Sequence, residues 1–397
     1  MSTQVVVVGA GYAGAGAVKR LEQDLGPDAE LTWVSEHDYH LVLHEVHRCI
    51  RDPSVENSIA LPIDDVKAPE TNFVKGRAVE IDTDERVVEL EGDESVEYDY
   101  LLVAIGSSTA FFGIEGLEEF SHQLKGLDDA REIHQDIKQA AADASRDDPA
   151  KVIIGGAGLS GIQTAAEVAE YRDLNRASID IQLVEGMDQI FPGNDPELQG
   201  ALRRRLEDLD IDILTGDFIS KVDEETVYLG GGEDEDPEEL PYDVLVWTGG
   251  ITGQPEATDI DLEQDDRSHR FFAEDDFQTS DERVFAIGDC ALIEQGTDNV
   301  APPTAQAAWT AADVVGENIA RAVEGRPLKR WSYEDKGTVI SIGHDAVAHG
   351  VKVPVFGDVP VNVFGGLPAR VLKKSIAANW IADVTTYNRA LNAWSDL

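Results

Sequence analysis

Val5-Val6-Val7-Val8-Gly9-Ala10-Gly11-Tyr12-Ala13-Gly14 is the stretch that decides the fold, because Val152-Ile153-Ile154-Gly155-Gly156-Ala157-Gly158-Leu159-Ser160-Gly161 repeats its pattern 147 residues later. In each case an apolar β-branched run enters a G-x-G-x-x-G turn, and an Ala-rich helical pattern leaves it. The first glycine (Gly9, Gly156) permits the tight turn. The second (Gly11, Gly158) leaves room for a phosphate beside the backbone, and the third (Gly14, Gly161) lets helix and strand pack closely. Free amides at the helix start then offer partners to a pyrophosphate.

Each unit next runs into a short apolar stretch that ends in an acid: Trp33-Val34-Ser35-Glu36 and Leu183-Val184-Glu185. Glu36 lies 22 residues past Gly14, and Glu185 lies 24 past Gly161. An acid at that distance accepts hydrogen bonds from ribose hydroxyls and repels a 2′-phosphate, so Glu185 favours NADH over NADPH. The expected fold class is α/β, with two Rossmann-type dinucleotide-binding domains and a C-terminal region. Two dinucleotides in one chain suggest electron transfer between them.

Composition narrows the setting. There are 78 acidic residues against 32 Lys plus Arg in 397 residues, a formal charge of -46. Repulsion of that size destabilises a compact state unless counterions screen it. The even spread of acids resembles haloarchaeal, salt-adapted proteins. There is no basic field to meet nucleic-acid phosphates. No signal peptide and no 18-residue apolar run is read, so no membrane span is expected. Cys49 and Cys290 stand far apart and outside any C-x-x-C pattern. They are expected as free thiols in a reducing cytoplasm.

Along the chain, residues 1–115 and 275–330 are expected to form a discontinuous first dinucleotide-binding domain. Residues 116–274 are expected to form a second, inserted one, and 331–397 a C-terminal region. Tyr98–Ile105 reads as a strand ending at Gly106-Ser107-Ser108, a turn that favours a crevice. Residues 127–146 read as a polar helix, and Tyr242–Thr248 as a strand that closes the second domain before Gly249-Gly250. Residues 230–236 read as a solvated hairpin tip.

Gly288-Asp289 ends another short strand. A carboxylate there can bind a polyol hydroxyl of a flavin chain, and the helix expected over 304–323 would aim its amides at charge on a reduced flavin ring. His40, His44 and His47 would share one face if that stretch were helical. No Cys or Asp completes a metal shell beside them, so no metal is expected. His44 and Glu45 are read as cofactor-pocket or packing residues.

The segments GAGYAG (9–14), EHDYHL (36–41), LHEV (43–46), GGAGLSG (155–161), WTGG (247–250), FAIGDCA (285–291), APPTAQAAW (301–309) and WSYEDKGT (331–338) together resemble the type II NADH:quinone oxidoreductases. The resemblance covers nearly the whole chain. It implies FAD on the first unit, NADH on the second, hydride transfer to the flavin and two electrons onward to a quinone, menaquinone foremost. It needs no metal and no catalytic disulfide. It places Tyr12, His44, Gly106, Gly249, Ala305 and Lys336 at the cofactors, and Gln306 and Ala307 between flavin and quinone. Lys336 is read either as a surface lysine or as part of a segment closing over the flavin. Two positions depart from the family pattern. Gln163 stands where the family has a Glu near the nicotinamide, and Thr310 stands where a second Gln often follows.

The tail from Gly366 to Leu397 carries four basic residues and two acids, a local excess of +2. Leu372, Ile376 and Trp380 recur at i, i+4 and i+8. An amphipathic helix with a basic rim and an interfacial Trp would lie on an anionic membrane surface. The alternative is packing on the protein itself or on a second subunit of a homodimer. Other functional readings are a soluble NAD(P)H flavoprotein reductase with another acceptor, a sulfide:quinone oxidoreductase, and a non-catalytic flavin-binding protein. The sulfide:quinone reading needs neighbouring cysteines, which Cys49 and Cys290 do not provide.

Overall fold

The computed structural model describes residues 2–92, 94–232, 236–254, 260, 262–296, 299–353, 357–358 and 362–397. Residues 233–235 of the expected hairpin tip therefore lie outside the described residues. Their flanking strands, Thr226–Leu229 and Glu238–Pro241, pair antiparallel.

The valine run forms the strand Thr3–Val8, central in a five-stranded parallel sheet. Across that sheet the order is Val284–Ala286, Tyr100–Val103, Thr3–Val8, Ala29–Ser35, Asn72–Lys75. Val5 through Val8 are all buried, as a strand covered on both faces requires. One cover is a helix pair, Tyr12–Asp24 against Ala305–Val323. Small residues set that spacing: a Cβ on Gly16 would strike Ala312, and one on Gly316 would strike Arg20.

A second parallel sheet runs Ile211–Thr215, Ile179–Glu185, Ala150–Gly155, Val244–Trp247. Its fingerprint helix is Leu159–Asn175. Each sheet carries a three-stranded antiparallel partner, Ala78–Asp82 with Val87–Leu90 and Glu94–Glu97 in the first case. The second is Ile219–Val222 with Thr226–Leu229 and Glu238–Pro241. Two short antiparallel strands, Ser108–Thr109 and Ile251–Thr252, mark where the chain leaves one unit and returns. The chain then re-enters the first sheet through Val284–Ala286.

The C-terminal region is an antiparallel sheet, Thr338–Ile342, Asp345–His349 and Val363–Gly365, followed by the helices Leu367–Val384 and Tyr387–Ala393. Two local expectations change length. The Tyr98–Ile105 strand is regular only over Tyr100–Val103, and the polar helix ends at Asp143, where Ala144 turns extended. The stretch bearing His40, His44 and His47 is no single helix. His40 lies on the strand Tyr39–Leu41, His44 in the 3-10 turn Leu43–Glu45, and His47 just before Arg48–Arg51. The three histidines share no helical face, because Tyr39–Leu41 pairs as a strand with Ala60–Pro62 and Val42 (φ -73°, ψ 71°) leaves the helical region.

The terminal helix also corrects its expected orientation. Trp380 is fully buried and faces inward, stacked on Tyr12 at 4.5 Å and edge-on to Trp309 at 4.8 Å. Lys373 is buried as well. The large apolar side chains exposed on the two terminal helices are instead Leu367, Val371, Ile376, Tyr387 and Leu391, with Trp394 just after the last.

Candidate functional site: one cavity facing two fingerprints

Both glycine fingerprints have the close approaches their spacing demands. Gly9 has φ +110°, and a Cβ there would collide with the carbonyl of Ala104. A Cβ on Gly14 would collide with the Gly9 carbonyl. Gly156 (φ +91°) and Gly161 repeat the arrangement, with Gly249 and the Gly156 carbonyl as the obstacles. Gly11 and Gly158, by contrast, face open space. Each unit thus has two glycines that close the turn and one that keeps its mouth open, which is the shape a pyrophosphate needs. Gly249 contributes by packing beneath Gly156.

A cavity of about 1040 Å³ lies between the units. Its wall includes Gly11 and Tyr12 from the first fingerprint, and Leu159, Ser160 and Gln163 from the second. A smaller cleft of about 330 Å³ adjoins it, sharing Gly11, Gly106, Lys125 and Asp289 and reaching Glu36 and Arg77. Together the two spaces run from the first glycine turn and Glu36 to the helix start at Thr304. The glycine cradle and this continuous space fit a flavin dinucleotide.

The acids sit at strand ends as expected. Glu36 meets Arg77 at 3.3 Å at the rim of the cleft. Glu185 accepts the amides of Ala157 at 2.9 Å and Met187 at 3.0 Å, which holds it beside the second turn. Asp289 lies in the turn Gly288–Cys290, its carbonyl gripped by the Arg270 guanidinium at 2.8 Å. Facing it is Lys125, whose ammonium donates to Ser107 at 2.9 Å and whose pKa burial lowers. Lys125 carries no motif, and only the fold brings it to Asp289.

The helix start is tied to the segment after residue 330. Thr304 caps the helix by accepting the Ala307 amide at 3.2 Å, leaving Ala305 and Ala307 at its first turn. Gln306 uses both ends of its carboxamide. Its Oε1 accepts from the Lys336 amide at 2.8 Å and the Tyr333 hydroxyl at 3.1 Å, and its Nε2 donates to the Gly337 carbonyl at 3.1 Å. The Lys336 side chain is exposed at the cavity edge. Gln306 therefore fixes the 333–337 segment over the cavity, and Lys336 belongs to that lid by its backbone.

Gln163 is buried and donates to Ser341 Oγ at 2.7 Å, while His47 Nε2 meets the same hydroxyl at 2.9 Å. Burial keeps His47 neutral, with its pKa well below the ordinary imidazole range. The position thus holds a satisfied polar contact between the second unit and the C-terminal sheet. Tyr12 and His44 meet at 2.5 Å, and His44 Nε2 lies 3.1 Å from Glu45. Burial opposes ionisation of Glu45, but Lys373 at 3.2 Å and Arg48 at 2.5 Å outweigh it and hold the carboxyl well below its usual range. Lys373, expected at a membrane rim, is instead an inward cation on the cavity wall. Its helical periodicity alone could not reveal this, because the buried partner Glu45 is far away in sequence.

Both cysteines are buried free thiols, each pushed up to about 12 by burial. Among the described residues, no group of three or more His, Cys, Asp or Glu is arranged to hold a metal ion.

Two parallel-sheet units, the first bringing Gly11 and Tyr12 of its glycine turn and the second Leu159 and Ser160 of its own to one shared cavity, define a two-dinucleotide enzyme class. The chain belongs to the pyridine nucleotide-disulphide oxidoreductase family, whose profile matches residues 3–312. Among curated relatives it is 26% identical over 360 residues to a type II NADH:quinone oxidoreductase of Staphylococcus saprophyticus, covering 87% of this chain and 89% of that one. It is 27% identical over 370 residues to the Staphylococcus aureus enzyme of the same name, covering 89% and 91%. Among solved structures, NDH2 of Plasmodium falciparum in complex with RYL-552 superposes with a TM-score of 0.83 at 15% identity, over 100% of this chain and 98% of that one. The sulfide:quinone oxidoreductase of Aquifex aeolicus superposes with a TM-score of 0.79 at 19% identity, over 98% and 92%. These two structural likenesses speak for the fold.

Proposed function

We propose that the protein is a peripheral, non-proton-pumping NADH:quinone oxidoreductase that uses FAD. One observation carries the reading: a single cavity is walled by both fingerprints, by the Thr304–Gln306 helix start and by Ile376 and Asn379 of the terminal helix. A donor nucleotide on one side and an acceptor on the other can then meet the same ring system. The naming of the curated relatives supports NADH and quinone as the two substrates. When bound, FAD supplies the two-electron centre between them.

The chain's residues supply position and field. Gly9, Gly11, Gly14, Glu36, Gly106, Gly288 and Asp289 would hold the flavin dinucleotide in the unit formed by 1–115 and 275–330. Gly156, Gly158, Gly161, Glu185 and Gly249 would hold NADH in residues 116–274. Gln163 would orient the nicotinamide carboxamide by hydrogen bonding, without exchanging a proton. Gln306 keeps the 333–337 lid closed, excluding water near the ring.

Menaquinone from an anionic membrane on the cytoplasmic side is the proposed acceptor. Leu367, Val371, Ile376, Tyr387, Leu391 and Trp394 present an apolar face beside Arg370 and Lys374, suited to the headgroup boundary. Among the described residues no helix is long and apolar enough to cross a membrane. The sulfide:quinone reading is disfavoured because both thiols are buried and unpaired.

The decisive test is anaerobic. NADH is added to the flavin-loaded protein in high salt, then a short-chain quinone. Bleaching followed by quinone-driven reoxidation is expected. Bleaching without reoxidation would move the acceptor to another compound, and absence of bleaching would remove both reductase readings. In Gln306→Leu, bleaching by NADH should persist while reoxidation slows at least about tenfold, on the order of the loss of one buried hydrogen-bonded anchor. An unaltered reoxidation rate would remove Gln306 from the acceptor side.

A further inference from the structure

One turn beyond Gln163 lies Glu167, completely buried, on the same face of the helix Leu159–Asn175. Arg51 stands 3.0 Å from it and Arg48 3.9 Å. Neither pair has hydrogen-bond alignment, and both carboxylate oxygens of Glu167 accept no hydrogen bond. A buried ionised carboxylate in that state is costly, and such orphaned groups are rare.

The groups acting on it come from several elements. Arg51, Arg48 and Cys49 lie on the short helix Arg48–Arg51, Glu45 on the turn before it, and Glu170 on its own helix. Thr338–Ile342, packed on the same helix, presents Ser341 and no ionisable side chain. Burial is the largest influence, and despite both arginines it lifts Glu167 to about 7. Arg48 then binds Glu45, and Glu45 binds Lys373 and His44. Lys373, His44 and Tyr12 line the cavity. On the other side, Glu170 pairs with His344, whose side chain is 56% exposed. Glu167 therefore stands between solvent and the cavity wall, in a cluster of three cations (Arg48, Arg51, Lys373) and two carboxylates (Glu45, Glu167).

We propose that Glu167 is a charge-compensating residue of the electron-transfer reaction: it takes a proton from solvent when the cavity gains electrons, and returns it when they leave. An O–H bond forms on one Glu167 oxygen, the proton comes from bulk water, and no electron moves onto the residue. The cluster passes from a net charge of +1 to +2 and so opposes the incoming negative charge. Glu167 touches neither cavity nor cofactor. It is a positioning residue that acts through Arg48 and Glu45 on Lys373. The inference rests on the proposed flavoprotein reading.

The test is the midpoint potential of the protein-bound flavin against pH, in the holoprotein and in Glu167→Gln. One extra proton taken up per two electrons is a tenfold change in equilibrium constant per pH unit, or about 30 mV per unit. Around neutral pH the slope of the unmodified protein should exceed that of Glu167→Gln by up to this amount. In parallel, redox-difference infrared spectra of the unmodified protein should show a carboxylate band lost and a carboxyl band gained on reduction, which does not depend on the variant folding. Equal slopes, or no carboxyl change on reduction, would overturn the proposal while leaving NADH bleaching intact. A protein that binds no flavin would overturn the functional reading and this proposal with it.

Discussion

Tyr12, His40 and Trp380 show how much a single motif position acquires in the folded chain. Tyr12 is the x after the second fingerprint glycine, and its ring stacks on Trp380 from the far end of the sequence. His40 joins them, its Nδ1 bonded to the Ala10 carbonyl at 2.7 Å and its Nε2 accepting the Trp380 indole at 2.8 Å. That pattern requires the neutral tautomer, and burial lowers its pKa to about 4. The sign follows: the unfolded chain binds this proton below about pH 6.5 while the folded chain refuses it down to about 4. His40 should therefore take away stability as pH falls through that window, by up to roughly 3 kcal/mol. Urea unfolding at fixed salt should show a shallower acid-side loss in His40→Gln than in the unmodified chain. Parallel curves would contradict the assignment. Glu167 acts in the opposite sense, since its raised pKa makes stability fall as pH rises through about 7.

At the scale of elements, the terminal helix has two jobs on two faces. Its inner face supplies Trp380 and Lys373, and replacing Trp380 with Ala should cost about 3–5 kcal/mol through the cavity it leaves. Its outer face, with the short helix after it, carries the exposed apolar side chains. Burying one Leu is worth about 1.5–3 kcal/mol. Leu367→Asp with Leu391→Asp should thus lower binding to phosphatidylglycerol vesicles at least about tenfold, with turnover of a water-soluble quinone retained. Unchanged vesicle sedimentation would move the membrane contact elsewhere. The sequence showed this tail as basic and amphipathic, yet of its i, i+4, i+8 residues Trp380 points inward while Ile376 lies on the exposed face. Periodicity finds a face, and only the packed partner says which face is covered.

The whole molecule is held between two opposing tendencies: packed α/β units and a formal charge of -46. Self-repulsion reaches across the surface when the screening length is about 10 Å or more, as at or below about 0.1 M salt. Thermal unfolding should therefore shift upward steadily from low to molar KCl, with the largest change at the low end. A midpoint indifferent to salt would rule out salt adaptation. The same charge makes the inward cations conspicuous. Lys373, Arg48 and Arg51 are kept at the join of three regions, where their acids Glu45 and Glu167 are also buried.

Both glycine turns, the acids Glu36 and Glu185, and the Gly288-Asp289 turn were legible in the sequence, because their chemistry depends on neighbours a few positions away. A tight turn needs its glycines at fixed spacing, and a strand end needs its acid in register. Lys125 beside Asp289, Gln306 clamping the 333–337 segment, and Glu167 without a hydrogen bond were decided only by the tertiary structure. Their partners come from distant parts of the chain, and burial, which sets their charge, has no local signature. The sequence by itself determined that two dinucleotides can be held. The packing of the two units around the C-terminal region decided that their glycine turns lie at one cavity.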